Sequence, residues 1–327
     1  INGQKPNKIS NLDLIESVNF IKTIHKISKK NTKNFPYDAV ESCKSLKEIT
    51  DQIDYKLLKL LKVKNNSRKF RNFLRFTIMR TYKKLNNNIK TLKLLKLFSK
   101  PIPKKYEILS PSDFGFHNSL KNSGKIFFID FEYFGKDDPV KLASDFLLHP
   151  GMSLTNTQKR IWLKKVSKIF LYDKEFVNRL RFFIPFYAIR WSLIVLNDFR
   201  VSNIYDHCQN IRVNKKFFLK KRKEQVRKAL YFAVVPIDDV GMVRNHDAAF
   251  RRHQFLHLAV HLVTLTGVSF CKGIFQQLSH AIAMPVSIVP VAMGAKLNRH
   301  HHIWKILLFN NGHRIAFFSK QSCSRTS

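Results

Sequence analysis

The chain has 327 residues, 44% of them hydrophobic, and carries 59 Lys or Arg against 22 Asp or Glu, a formal net charge of +37. This apolar content excludes a chain that is disordered throughout, and the length fits one large domain or two ordinary ones. Such a charge attracts nucleic acid, anionic lipid or phosphate-rich ligands, but the lysines are spread over amphipathic segments. We therefore interpret the charge as a bias of composition and expect no specific nucleic-acid site.

The first third of the chain is predicted to be helical. Apolar residues recur at helical spacing from Asn11 to Ile27, from Tyr37 to Leu61 and from about Ser67 to Leu85. Thr91 to Phe98 is a short basic and apolar run that ends before two prolines. These segments are expected to form a scaffold, and His25 in the first helix is interpreted as a packed or capping side chain rather than a catalytic one.

The stretch from Leu109 to Pro150 combines polar clusters with a predicted β-hairpin. Its sequence is LSPSDFGFHNSLKNSGKIFFIDFEYFGKDDPVKLASDFLLHP, with a turn signal at residues 121–124 and an apolar strand at residues 125–129. A hairpin at this place brings Asp113, Asn118 and Asp130 to the same end of a small two-stranded unit.

The three residue types suit phosphoryl transfer. A carboxylate at Asp113 can orient and deprotonate a hydroxyl acceptor, while Asn118 and Asp130 offer the oxygen ligands that Mg²⁺ prefers. The order base, metal ligand, metal ligand is the order that kinases use. The simpler interpretation is that Asp113 and Asn118 are turn residues and that Asp130 caps a helix.

The phrases SPSDFGFHN, FIDFEYFGKDDPVKLASDFLLHPGM and IRWSLIVLNDF resemble the aminoglycoside phosphotransferase and choline kinase family, whose members are protein-kinase-like kinases of small molecules. The resemblance implies that Asp113 is the catalytic base, that Asn118 and Asp130 bind Mg²⁺, and that ATP is the donor. Many members have a His two residues before the base, where this chain has Pro111. His117 is interpreted as a loop residue that holds the backbone.

The resemblance also implies a nucleotide lobe before the first helix, with a glycine-rich loop and a phosphate-binding Lys. Upstream of Asp113 the only glycine is Gly3. We therefore expect an α+β, predominantly helical fold that corresponds to a protein-kinase-like C-terminal lobe with a short catalytic hairpin. The N-terminal nucleotide lobe is expected to be missing, so that this fragment alone would be inactive.

Four further helices are predicted, at Pro139–Phe146, Thr157–Leu171, Glu175–Phe199 and Lys215–Phe232, the third of them interrupted by Pro185.

Several polar residues near these helices have open roles. Asp137 or Asp138 can cap the first of the four, and Asp138 and Asp145 either support the catalytic loop or are structural. Glu132 follows the predicted metal ligand and is a candidate for supporting it. Arg190 is expected to pair with an acid within the fold, because a charged side chain in an apolar helix needs a partner.

The composition changes at Ala233. Residues 234–327 contain no Glu, three Asp, four Lys and nine of the thirteen His. We predict a kinase-like lobe at residues 1–232 and a distinct tail at residues 233–327, either a second domain or membrane-associated tail, or a fusion or out-of-frame peptide. The apolar runs Phe255 to Phe270 and Ala281 to Ala295 are too short to span a bilayer.

Histidines in the tail form two groups that could bind zinc or nickel. His253, His257 and His261 would share one helix face, and residues 300–302 are a run of histidines. No acidic or Cys ligand accompanies them, which disfavours a native metal site. The four cysteines lie far apart, at positions 43, 208, 271 and 323, as in a reduced cytoplasmic protein.

The sequence therefore predicts Mg²⁺- and ATP-dependent phosphoryl transfer to a hydroxyl of a small molecule, with no transmembrane segment. An antibiotic, choline, an amino sugar and a glycan precursor all fit as the acceptor. The alternative is a non-catalytic, basic binding module for an anionic polymer or a membrane surface.

Overall fold

The computed structural model describes residues 3–6, 8–31, 35–90, 98–152, 154–201, 207–209, 211, 213–234, 286–290, 301–310 and 313–322. The chain divides into two compact units, Ile1–His246 and Asp247–Ser327. The boundary that composition predicts, between residues 232 and 233, remains a prediction.

The described part of the first unit is mainly helical, as the sequence predicts. Its helices are α1 (Asn11–Asn31), α2 (Leu46–Leu61), α3 (Arg68–Phe73), α4 (Arg80–Lys90), α5 (Pro139–Leu148), α6 (Asn156–Ile169), α7 (Phe176–Ile194) and α8 (Lys215–Val234). A π-helical segment, Leu74–Met79, joins α3 to α4. Helix α5 starts at Pro139, as the sequence predicts. The Asp138 side chain caps it by accepting a hydrogen bond from the Val140 N–H at 2.8 Å.

Four short strands form two antiparallel pairs. β1 (Ile108–Ser110) pairs with β4 (Gly135–Asp137), and β2 (Ser119–Asn122) pairs with β3 (Lys125–Phe128). The loop of the second pair is Ser123-Gly124, whose φ values of 48° and 80° match the primed turns of two-residue hairpins. The predicted hairpin is confirmed.

Both edges of the β2–β3 hairpin are occupied. Gln4 exchanges two backbone hydrogen bonds with Lys121 on the β2 side, at 3.1 and 2.8 Å. On the β3 side, the Ile126 N–H donates to Oε2 of Glu16 in α1 at 2.7 Å. The Lys121 ammonium also donates to the buried Asp13 carboxylate at 2.6 Å, so the hairpin is held on the first turns of α1.

The core beneath the hairpin is aromatic. Phe114 packs against Phe128 and Phe146 with ring centroids 4.5 and 5.2 Å apart, and Phe146 stacks on Trp162 at 3.7 Å. The Trp162 indole N–H donates to the Ala143 carbonyl at 3.1 Å. Every residue of α5 is buried, including Lys141, so this helix lies at the centre of the unit.

Two predictions about the helices are wrong: the start of the second helix at Tyr37 and the interruption of α7 at Pro185. Residues 37–45 are not helical, because their backbone lies along β4: the Lys136 N–H donates to Tyr37 O at 3.0 Å and the Ala39 N–H donates to Lys136 O at 3.0 Å. A Cβ at Gly135 would come within 2.3–2.6 Å of that backbone, so glycine is required for the approach. Pro185 does not interrupt α7, which is buried along most of its length and instead ends at Ile194, before a 3₁₀ turn at Asn197–Arg200.

Lys141 is the centre of a buried ion network. Its ammonium lies 3.2 Å from Oδ2 of Asp137 and 3.1 Å from Oδ2 of Asp145, and both Lys141 and Asp137 are almost fully shielded from water. Burial opposes the charge of the ammonium, but the two carboxylates outweigh it and raise the pKa of Lys141. The other oxygen of Asp137 accepts from the Ser42 hydroxyl and the Cys43 N–H, both at 3.0 Å, which ties residues 42–43 to β4 and α5.

Two buried arginines of α7 form further ion pairs next to the Lys141 network. Arg179 of α7 donates to Asp138 at 3.0 and 3.2 Å and to Asp173 at 2.7 Å. Arg190 of the same helix donates to Asp145 at 3.3 Å and also contacts Glu41. The expectation that Arg190 pairs with an acid of the fold is confirmed, and Asp138 is a helix cap as well as an ion-pair partner.

In the second unit, three described strands form an antiparallel sheet in the order β5 (Val286–Pro290), β6 (His301–Asn310) and β7 (His313–Ser322). The histidines at 253, 257, 261 and 300 lie outside the described residues, as do the apolar run Phe255 to Phe270 and most of the runs Thr91 to Phe98 and Ala281 to Ala295. Among the described helices, none has the length and apolar character needed to cross a bilayer.

We expect Lys141→Met to destabilise the protein by about 3–5 kcal/mol, because it keeps the volume but leaves the buried Asp137 without its cation and removes one of the two cations that contact Asp145. The measurement is the free energy of unfolding in urea at pH 7.

The matched control is Lys47→Met, which removes the exposed i,i+4 pair with Asp51 at 2.6 Å and should change stability by less than about 1 kcal/mol. Adding Asp137→Asn to Lys141→Met should restore part of the loss, because it removes the carboxylate that has no other cation. Equal effects of the Lys141 and Lys47 substitutions would show that the buried network is not a special source of stability.

Candidate functional site

The loop between β1 and β2, residues 111–118, carries the first predicted site residues. Ser112 has a left-handed backbone with φ 62°, and its hydroxyl donates to the Val40 carbonyl at 3.1 Å. The ammonium of Lys141 lies 3.3 Å from the same hydroxyl. The buried ion network therefore fixes the residue that directly precedes Asp113.

Asp113 and Asn118 are joined across this loop. The Asn118 side-chain amide donates to Oδ2 of Asp113 and to the Asp113 backbone carbonyl, both at 3.1 Å. Because the NH₂ group makes these contacts, the carbonyl oxygen of the same side chain remains an acceptor with no partner among the described residues. The Asp113 side chain is 37% exposed, so its carboxylate can meet a ligand.

Asp130 lies at the open end of the hairpin. The Ile129 N–H donates to the Asn118 carbonyl at 3.0 Å, so Asp130 follows directly after the residue that pairs with Asn118. It is exposed and has a φ of 67°, a conformation that costs an L-residue roughly 1 kcal/mol and that Asp adopts more readily than most.

His117 contacts Asp113 directly. Its Nε2 lies 2.9 Å from Oδ1 of Asp113, on the opposite side of the carboxylate from Asn118. Its Nδ1 is buried and has no partner among the described residues. Gly115 leaves room for both side chains, because a Cβ there would lie 2.8 Å from that nitrogen and 2.5 Å from Sδ of Met152, so that one of them would have to shift. The interpretation of His117 as a residue that only holds the backbone misses this contact with the carboxylate.

His149, which was not singled out from the sequence, completes the cluster. Its ring stacks on His117 with centroids 3.6 Å apart, and the edge of Trp191 meets it at 4.8 Å. The residue directly follows the apolar run that ends α5, and a polar side chain at that place is the one sequence signal that points to it. Trp191 in turn donates to Oδ1 of Asp145 at 2.7 Å, which assigns Asp145 a structural role in this region.

Asp113, His117 and His149 offer three ligand atoms within 4.8 Å of one another, a spacing that suits a metal ion. The ring geometry does not suit one. The two imidazole planes are nearly parallel, at 16°, so their in-plane lone pairs do not converge on a common point. Nδ1 of His149 also accepts the Gly151 N–H at 3.1 Å, which places the proton of the neutral ring on Nε2, the atom nearest Asp113.

The cluster determines the protonation of its members. The hydrogen bond from His117 holds the pKa of Asp113 below its usual value, against the opposing effect of burial. Burial, together with the neighbouring His117, lowers the pKa of His149 to about 4. Near neutral pH the site therefore presents an ionised Asp113 beside a neutral His149.

The comparisons with known proteins give structural neighbours alone. No family model matches the chain, and no curated protein matches it. The chain is similar to the structure of amicoumacin kinase in complex with AMP-PNP, Ca²⁺ and Ami, at 16% identity and a TM-score of 0.38 over 72% of this chain and 64% of the other.

Two further structures are kinases by name. One is choline kinase from Cryptosporidium parvum Iowa II, at 14% identity and a TM-score of 0.39 over 72% of each chain. The other is a choline/ethanolamine kinase family protein from Mesorhizobium loti, at 14% identity and a TM-score of 0.42 over 73% of this chain and 66% of that one. The chain thus spans about two thirds of the length of these proteins.

We expect the stability of the protein to fall as the pH is lowered from 7 to 5. The pKa of His149 is about 4 in the folded protein and about 6.5 when exposed, so the unfolded chain binds more protons in this window. This residue alone should account for a loss of about 2 kcal/mol between pH 7 and pH 5. The measurement is urea denaturation of the parent protein and of His149→Phe, which keeps the ring stacking.

The decisive quantity is the difference between the two proteins, because other groups titrate in both. The parent should lose more stability than His149→Phe on acidification, and parallel pH profiles would contradict the assignment.

Proposed function

We propose that the protein catalyses Mg²⁺- and ATP-dependent phosphoryl transfer to a hydroxyl group of a small molecule. The observation that carries the proposal is the joined pair of Asp113 and Asn118 at the end of the hairpin from which Asp130 emerges. The Asp113 carboxylate accepts a hydrogen bond from the Asn118 amide, and Asp130 follows Ile129, whose N–H donates to the Asn118 carbonyl.

Asp113 would bind the hydroxyl of the acceptor. Its lowered pKa keeps it ionised at neutral pH, so it is a good hydrogen-bond acceptor and a weak base. Phosphoryl transfer tolerates a weak base, because in the loose transition state of most analyses the bond to the leaving group is largely broken while the bond to the hydroxyl oxygen has barely formed. The hydroxyl therefore becomes acidic only late in the transfer. The role of Asp113 is therefore to aim the oxygen nucleophile and to take its proton late.

Asn118 and Asp130 would hold the metal ion. The amide of Asn118 uses its NH₂ group on Asp113, which leaves its carbonyl oxygen for a cation, and the exposed carboxylate of Asp130 accepts no hydrogen bond among the described residues. Both are hard oxygen ligands of the kind that suits Mg²⁺. When bound, Mg²⁺ neutralises the charge of the transferred phosphates.

The remaining residues of the site would position Asp113. His117 and Asn118 bind its two oxygens from opposite sides, and Lys141 holds Ser112 before it. Fixing the acceptor-binding carboxylate in one orientation is a large part of what a kinase site has to supply. We also propose that the protein acts in the cytoplasm, because the reaction needs ATP as its donor. The buried Cys43 and Cys208, which are free thiols, fit a reducing compartment.

The first test is the binding of metal and nucleotide. We expect Mg²⁺ with a non-hydrolysable ATP analogue to raise the melting temperature of the parent protein and of Asp113→Asn. Asp130→Asn should lose the Mg²⁺-dependent part of the rise, because it loses a charged oxygen ligand. Asp51→Asn, a change of the same kind at an exposed carboxylate of α2, is the matched control and should behave as the parent.

The second test is turnover. Any release of ADP should depend on an added hydroxyl acceptor from a panel of choline, ethanolamine, an aminoglycoside and an amino sugar, and such turnover would contradict the expectation that this chain alone is inactive. Asp113→Asn should lower any measured kcat by about 100-fold or more, since it removes the acceptor-binding charge. The binding-module alternative predicts a different pattern. The parent would gain no stability from Mg²⁺ and nucleotide, and the parent and Asp113→Asn would bind anionic vesicles or nucleic acid equally well.

A further inference from the structure

A second concave site lies between the C-terminal halves of α1 and α6. The groove has a volume of about 300 Å³ and is lined by Lys22, His25, Lys26, Lys29, Lys168 and Ile169. Its three α1 lysines share one helix face at spacings of four and three residues. None of these residues takes part in the proposed phosphoryl-transfer site.

The charges of this groove are not compensated. The two acids of α1, Asp13 and Glu16, lie in its first turns and bind the hairpin, and α6 contains no acidic residue. The four lining lysines are exposed and, among the described residues, form no ion pair with a carboxylate. Like charges gathered in this way oppose the folded state unless an anion lies between them.

The wall of the groove contains a buried aromatic cluster and a polar atom without a partner among the described residues. His25 is 8% exposed and packs between Phe170 and Tyr172, with ring centroids 5.3 and 5.0 Å away. Its Nδ1 is buried and has no hydrogen-bond partner among the described residues, a state that folded proteins usually avoid. The ammonium of Lys29 lies 5.4 Å from the centre of the Tyr172 ring, which fixes one of the four charges above this wall.

We propose that this groove binds a small ligand carrying two or more phosphate groups. Lysine binds phosphate as a point charge, and four lysines around one concavity match several charges in a compact ligand. The volume is that of a small-molecule pocket. A nucleic-acid track would instead extend along a surface with interleaved aromatic platforms.

The test is calorimetric titration of the full chain with inorganic tripolyphosphate in EDTA at about 0.15 M salt, a physiological ionic strength. EDTA removes divalent metal, so that binding through Asn118 and Asp130 does not contribute. The variant Lys22→Gln, Lys26→Gln, Lys29→Gln, Lys168→Gln should bind at least about tenfold more weakly than the parent, a loss of about 1.4 kcal/mol.

The matched control removes the same number of exposed lysines from α8, as Lys215→Gln, Lys216→Gln, Lys220→Gln, Lys223→Gln, and should bind as the parent does. Equal weakening in both variants would show a general effect of net charge and overturn the proposal. The proposal would also be overturned if the parent did not bind tripolyphosphate at about 0.15 M salt, a physiological ionic strength. Binding to a single-stranded oligonucleotide without binding to tripolyphosphate would overturn it as well.

A further arm separates the two sources of a phosphorylated ligand. Vesicles that contain a phosphoinositide, with phosphatidylserine vesicles of equal charge as the reference, either compete with tripolyphosphate for the groove or do not. Competition assigns the groove to a lipid headgroup and its absence to a free phosphorylated molecule, and both results support the proposal. Failure of this binding with intact metal and nucleotide binding would leave the proposed kinase function untouched.

Discussion

The arrangement of the first unit depends on one buried cation, the ammonium of Lys141 between Asp137 and Asp145. A charge at the centre of a folded unit is unfavourable by itself, so it constrains which groups must surround it. Here the required carboxylates come from the end of β4 and from the same helix, and the third contact is the hydroxyl of Ser112. The requirement for charge balance thereby fixes a strand, a helix and the candidate catalytic loop relative to one another.

That constraint explains how a short loop can hold an exposed carboxylate in one orientation. Ser112 cannot move without disturbing a buried charge, and Asp113 is then held from both sides by His117 and Asn118. The hairpin that carries Asp130 is anchored separately, through Asp13 and Glu16 at the start of α1. Two independent anchors therefore meet at the candidate site, one ionic and buried and one at the edges of a two-stranded sheet.

The features that sequence reasoning predicts here are local in the chain. The Ser123-Gly124 turn, the start of α5 after Asp138 and the approach of Asp113 to Asn118 each depend on residues a few positions apart. Local turn and capping chemistry is sufficient for such contacts. The approach of Asp113 to Asn118 follows from the same short range, while the metal-binding role of Asn118 and Asp130 remains a prediction.

The features that sequence reasoning misses come from distant parts of the chain. The segment from Tyr37 to Ser45 has helical spacing of apolar residues but is not helical, because residues 37–39 make their hydrogen bonds to Lys136 in β4 and a turn follows at residues 40–41. His149 is one ordinary residue after a helix until the fold stacks it on His117. Lys141, in a chain with an excess of lysine, cannot be distinguished from the surface lysines until its carboxylate partners are known.

The occupied edges of the hairpin have a consequence for the behaviour of the chain in concentrated solution. Two-stranded sheets with free edges invite strands from other molecules, and this is a common route to aggregation. Here Gln4 pairs with Lys121 on one edge, and the carboxylate of Glu16 covers part of the other. The hairpin thus gains resistance to intermolecular strand pairing without a third full strand, and its solvent-facing polar groups stay available for ligands at the end that carries Asp130.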